Sequence, residues 1–148
     1  MTPSHLQRRD EELQIIRQIA GSGHDRPVLM MNLNRYTPEA KANDNSLYKE
    51  YLKRLSAILA HVGAEILWQV PVAGSVVGEH AIDEMLAVRY PTHKAFLDLP
   101  TAPGADESYR LRARCVAFAM IYRCEDNSMA QCLRPGAPAS ASRLAFRT

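Results

Sequence analysis

A short apolar run, Met85-Leu86-Ala87-Val88, followed at once by Arg89-Tyr90-Pro91-Thr92, constrains this chain more than any other stretch. Consecutive apolar residues of this kind suit a central strand with both faces covered. Pro91 has no N–H to give to a sheet ladder, but it suits the approach to a helix, and Thr92 is placed to cap one. The stretch therefore reads as a strand over 82–90, a sharp stop, and a short helix over 92–99. Arg89, charged and at the lip of an apolar strand, is the first sign of a pocket.

Working outwards, residues 7–20 carry Leu13, Ile16 and Ile19 at helical spacing, with Asp10, Glu11 and Glu12 near the start and Gly21 at the end. This leading helix is expected to pack on the outside of the domain or on a partner, set apart by the break at 21–27. Residues 28–35 alternate as a first strand: Leu29, Met31 and Leu33 form a wholly apolar side, while Val28, Met30, Asn32 and Asn34 turn polar. A loop containing Pro38 leads to a helix capped by Asn45 or Ser46 and ended by Gly63. Its apolar residues, from Leu47 to Leu59, recur at three- and four-residue steps. A second strand over 65–72 contains Trp68, and Pro71 marks it as an edge strand. A hairpin connection over 73–81 precedes the central run, further helical turns are expected over 107–114, and a last strand over 115–124.

The chain has 148 residues, enough for one domain with a real core. Three parts are expected: a helix and linker (1–26), the main domain (27–124), and a disordered tail (125–148) rich in Pro, Ala and Ser. A net charge of +2 is too small to imply a nucleic-acid partner through the overall field. No run approaches the roughly 20 apolar residues of a membrane span, and the polar N-terminus is no signal peptide, so a cytoplasmic location is expected. Cys115, Cys124 and Cys132 make an odd count with no CxxC pair, arguing against a disulfide framework or a zinc site. Cys115 and Cys124, at the two ends of an apolar run, are read as buried structural thiols.

The order strand, helix, strand, hairpin, strand, helix, strand is the split β-α-β pattern of ferredoxin-like α+β folds. The first and third strands are expected side by side and parallel in the centre, with helices on one face. The other face, with Met30, Met85 and Ala87, is too apolar to stand in water, and a second copy of the chain is its simplest lid.

Residues 28–36, the helix over 47–60, the run His61-Val62-Gly63-Ala64-Glu65-Ile66-Leu67-Trp68 and the Arg-Tyr-Pro-Thr junction at 89–92 resemble the bacterial domain-of-unknown-function family 1330. The resemblance covers roughly residues 27–124 and implies the dimeric α+β barrel superfamily, whose members include cyclases, isomerases and cofactor-free monooxygenases. Leu111-Arg112 stands where the pattern has His-Arg, and Ile82 where it has tryptophan, so no histidine is carried over.

With the first and third strands parallel, one pocket mouth would gather Asn32, Asn34, Arg89 and Trp68. Arg89 would offer a planar, permanently charged fork to an anionic oxygen; alternatively it pairs with Glu65 or Glu84. The asparagines would orient a carbonyl or hydroxyl, and Trp68 would stack on a flat ligand or fill the core. His80, beside Glu79, is either a base tuned for proton transfer or a solvated loop residue. His61 suits a helix C-terminus, while His5, His24 and His93 read as surface residues. No metal-ligand spacing, Walker, GxGxxG or GxSxG motif is present, so neither metal nor nucleotide or flavin cofactor is expected. Three function classes follow. The first is a cofactor-independent enzyme of cyclase, isomerase or monooxygenase type on a small aromatic, polyketide-like or carboxylate metabolite, with His80 as base and Arg89 as anion holder. The second is a ligand-binding module with the same pocket and no working base. The third is an interaction protein whose leading helix captures a partner.

Overall fold

Four strands, β1 (Val28–Tyr36), β2 (Glu65–Pro71), β3 (Glu84–Tyr90) and β4 (Val116–Glu125), form one sheet in the order β2-β3-β1-β4. The structure is a computed structural model that describes residues 7–125. His5, Cys132 and the tail beyond Glu125 lie outside the described residues. Pro71 sits on an edge strand, as its missing N–H requires.

Every neighbouring pair in the sheet is antiparallel, including β1 with β3. The expected parallel centre is therefore corrected. A helical crossover makes β1 and β2 run in one direction, and the connection that follows reverses β3 against both. The register sets Asn34 opposite Glu84 and Leu29 opposite Arg89.

The helices cover one face. α2 (Pro38–His61) begins where Thr37 caps the N–H of Ala40 at 3.1 Å and Pro38 fills the first turn. It breaks immediately: Asn43, Asp44 and Asn45 take φ of 50°, 57° and 57°, and the helix resumes over 46–61. Tyr48, Tyr51, Ile58 and Leu59 are its buried stripe. Gly63, at φ +76°, turns the chain into β2. α3 (His93–Asp98) is capped by Thr92, whose Oγ1 accepts from the N–H of Ala95 at 3.0 Å. A 3₁₀ turn at Leu99–Thr101 leads into α4 (Ala105–Cys115), which starts earlier than its sequence pattern suggested because Gly104, at φ +85°, supplies the turn before it. α2 packs on α4 and α1 (Asp10–Gly21) on α3.

α1 does not stand clear of the domain. Ile16 is 2% exposed and joins Val28, Met30, Leu86 and Val88 in the principal core, a burial worth about 2 kcal/mol. Glu12 pairs with Arg123 of β4, and the Arg8 guanidinium lies 4.3 Å from the Phe96 ring centre. No helix among the described residues is long and apolar enough to cross a membrane.

The two faces of β1 exchange the roles their composition suggested. Val28, Met30 and Asn34 lie under the helices, and the wholly apolar set, Leu29, Met31 and Leu33, faces away from them. Met30 therefore belongs to the covered core, not to the open face. A bulge at Leu67 shifts β2 by one residue, leaving Ile66 on the helix side and turning Trp68 and Val70 to the open side. Among the described residues no element covers that open face.

Candidate functional site

Two groups of side chains lie back to back where β1 ends and β3 begins. On the helix side is Glu84, 1% exposed and the first residue of its strand. Its Oε2 accepts hydrogen bonds from the hydroxyls of Tyr36 and Tyr48 and from the Gln69 amide, and its Oε1 accepts from Asn34 Nδ2 at 3.3 Å. Gln69 Nε2 also reaches the Tyr48 hydroxyl at 3.4 Å, and the Tyr36 and Tyr48 rings pack at 4.3 Å. Burial, reinforced by the bond to Glu84, raises the pKa of both phenols far above its ordinary value, so they serve as donors. One atom is left over: Asn34 Oδ1 is buried without a hydrogen-bond partner. Beside the cluster, Asp83 accepts from the N–H of Tyr36 at 2.7 Å and pairs with Lys41 at 3.3 Å. Glu84 thus has its acceptor positions engaged within the fold and none left to offer an outside ligand. It is a strong tie, joining β1, β2, β3 and α2 at one point.

On the open side, the loop over 72–83 arches beyond Leu33, Met85 and Met120 and encloses a cleft of about 650 Å³. That volume falls in the range of small-molecule sites. Val76 and Val77 on the loop are almost wholly exposed. His80 lines the cleft and stacks on Phe118, ring centres 4.9 Å apart and planes 22° apart. The Arg35 guanidinium lies 5.1 Å from the centre of the same Phe118 ring.

The residues singled out from the sequence do not converge. Arg89 is five residues along β3 from Glu84, so about 17 Å separates it from the Asn34 end. It stands opposite Glu65 on β2, on the open face with Trp68. Trp68 is 43% exposed, not core. Asn34 is 4% exposed and Asn32 is half-buried, its Nδ2 donating to the Met30 carbonyl at 3.1 Å; both face the helices. His80 alone reaches the cleft. The single pocket mouth thus dissolves once β1 and β3 are antiparallel.

His93 also moves inwards. It is 2% exposed, and its Nδ1 lies 3.1 Å from Asp25 Oδ1 and 3.0 Å from the Arg26 carbonyl, so that nitrogen carries the proton. Asp25 in turn accepts the N–H groups of His93 and Lys94 at 2.8 and 3.0 Å, closing the open end of α3. Cys115 is buried, its pKa pushed up to about 11 by that burial, whereas Cys124 is partly exposed. Among the described residues no group of histidine, cysteine and carboxylate side chains is arranged to hold a metal.

Sequence reading missed Glu84 and Arg35. Both were signalled by strand phase. Glu84 alternates with Leu86, Val88 and Tyr90, all buried, and Arg35 with Leu29, Met31 and Leu33 on the open face.

No described protein family and no curated protein matches the chain. Solved structures do. A protein of unknown function from Rhodopseudomonas palustris, 21% identical, aligns over 84% of this chain and 98% of its own with a TM-score of 0.68. An EthD-family protein from Bacillus halodurans is 15% identical over 68% of this chain and 99% of its own, TM-score 0.54. A Dabb-family protein with a ferredoxin-like fold, from Mesorhizobium loti, is 11% identical over 69% and 98%, TM-score 0.51. At such identities the likeness speaks for the fold, and with the strand order and helix placement above it makes this chain a ferredoxin-like α+β protein with an added N-terminal helix.

Proposed function

We propose that this chain is a small-molecule-binding dimeric α+β barrel protein, akin to domain-of-unknown-function family 1330, that acts as a cofactor-independent enzyme. Two copies join through their open sheet faces and enclose the clefts between them. The observation that carries the reading is the apolar open face itself, with Val70, Trp68 and Tyr122 at 43%, 43% and 55% exposure and a ligand-sized cleft at one end. His80 is the base, taking a proton from an acidic C–H or a phenol in a chamber that the second copy closes to water. Arg89 and Trp68 line the far end of the same face. Asn32 and Asn34 face the helices and take no part in this chamber.

The test is a metabolite extract incubated with purified protein and read by mass spectrometry. Wild type should deplete at least one small organic compound, and His80→Gln should retain that compound bound without consuming it. Unchanged depletion by the variant would remove His80 as base. A second reading, ligand binding without turnover, is favoured by the stacking of His80 on Phe118 with no carboxylate bonded to it among the described residues. It predicts retention of a compound by both proteins and depletion by neither.

A further inference from the structure

We infer that the cleft under the loop over 72–83 selects a monocarboxylate carried on an apolar body, and that Arg35 is the residue that recognises the carboxylate. The inference rests on the proposed ligand chamber and specifies what enters it. Phe118 brings the two basic groups together: its ring centre lies 4.9 Å from that of His80 and 5.1 Å from the Arg35 guanidinium carbon, so the two are no further apart than those distances combined. Elsewhere on the open face Arg89 faces Glu65 across the ladder, but among the described residues Arg35 forms no ion pair. A guanidinium held on an apolar surface without a counter-charge is poised for an incoming anion, and its planar fork matches a carboxylate.

Arg35 and Phe118 stand beside the cleft, each two residues along its strand from Leu33 and Met120 in the cleft wall, and two carboxylates line the cleft itself. Asp83 is already engaged by Lys41 and by the Tyr36 N–H. Glu79 is exposed and does not pair with Arg35 among the described residues. One permanent cation balances a singly charged head, and the His80 ring adds a polar neighbour. They fall short of a phosphate, which carries about 1.5 to 2 charges and calls for a denser set of donors. Beyond the head, Leu33, Met85 and Met120 offer a wall with no hydrogen-bonding side chain, so the rest of the ligand is apolar.

The probes are 1-naphthoate and its uncharged counterpart 1-naphthamide, titrated calorimetrically into wild type, Arg35→Leu and Met85→Trp, each first checked for native circular dichroism. Wild type should bind naphthoate about tenfold tighter than naphthamide. Arg35→Leu should erase that preference by weakening naphthoate alone, and Met85→Trp, which fills the cleft, should abolish both. Equal affinity of wild type for the two probes, or a preference that survives Arg35→Leu, overturns the assignment of Arg35 while the chamber stands. Binding of both probes unchanged by Met85→Trp, or binding of neither, overturns the chamber and the inference together.

Discussion

Glu84 ties its end of the sheet together because four donors from two other strands and a helix converge on one buried carboxylate. Removing it strands the donors. Glu84→Ala should cost about 3 kcal/mol, and Tyr48→Phe, which removes one donor and leaves the carboxylate served, about 1 kcal/mol. Urea denaturation checks both, and the double variant should lose less than the two losses added, because the members share one network. Asp25 supplies the pH dependence. Burial works against its charge, yet the N–H groups of His93, Lys94 and Arg26 outweigh it and hold its pKa below the usual carboxylate range. A depressed native pKa contributes stability that is present above the unfolded value near 4 and lost as pH falls through the native one. Asp25→Asn should therefore cost about 1 kcal/mol at pH 7 and flatten the stability loss below about pH 4, read by denaturant midpoints across that range. Cys115, buried and with a raised pKa, should resist iodoacetamide at neutral pH until the chain unfolds, whereas partly exposed Cys124 should be alkylated first.

Among the elements, α2 and β2 owe their shape to single positions. The break in α2 needs three successive left-handed residues, and Asn43, Asp44 and Asn45 are the side chains that tolerate that conformation best after glycine. A β-branched residue does not: Asn43→Val should cost about 1–2 kcal/mol where Asn43→Gly costs nothing measurable, as thermal melts would report. Gly63 is constrained by its φ of +76°, whereas an added β-carbon would meet Pro91 Cγ at 3.4 Å, an ordinary contact. The bulge at Leu67 sets the composition of the open face, since without that extra residue Trp68 and Val70 would share a face with Ile66 and the open surface would lose its aromatic edge.

At the scale of the whole molecule, the proposed pairing of two copies through their open sheet faces is tested by assembly. Sedimentation equilibrium at micromolar concentration should find twice the chain mass of 16.6 kDa. Tyr122→Asp and Val70→Asp place charge at exposed positions on the two edge strands, so they should leave the melting temperature of the fold nearly unchanged and yield single chains. A wild type that sediments as one chain would remove the shared chamber.

The four strands, the Thr92 cap of α3, the left-handed Gly63, the edge position of β2 and the presence of a bare apolar face were legible in local spacing and residue chemistry, because each depends on neighbours in the chain. The start of α2 was not, since Thr37 caps it at Pro38 and Asn45, expected as a cap, is left-handed at φ 57°. Which side chains meet was not legible. Antiparallel pairing of β1 with β3 sends Arg89 to the far end from Asn34 and turns both asparagines under the helices, and the bulge in β2 exchanges faces midway along a strand. Strand direction and register are set by pairing between residues distant in sequence, and a single reversal or one-residue slip redistributes every side chain along the strand. The elements were therefore written in the sequence, while the company kept by Glu84, His80 and Arg35 was decided only when the sheet closed.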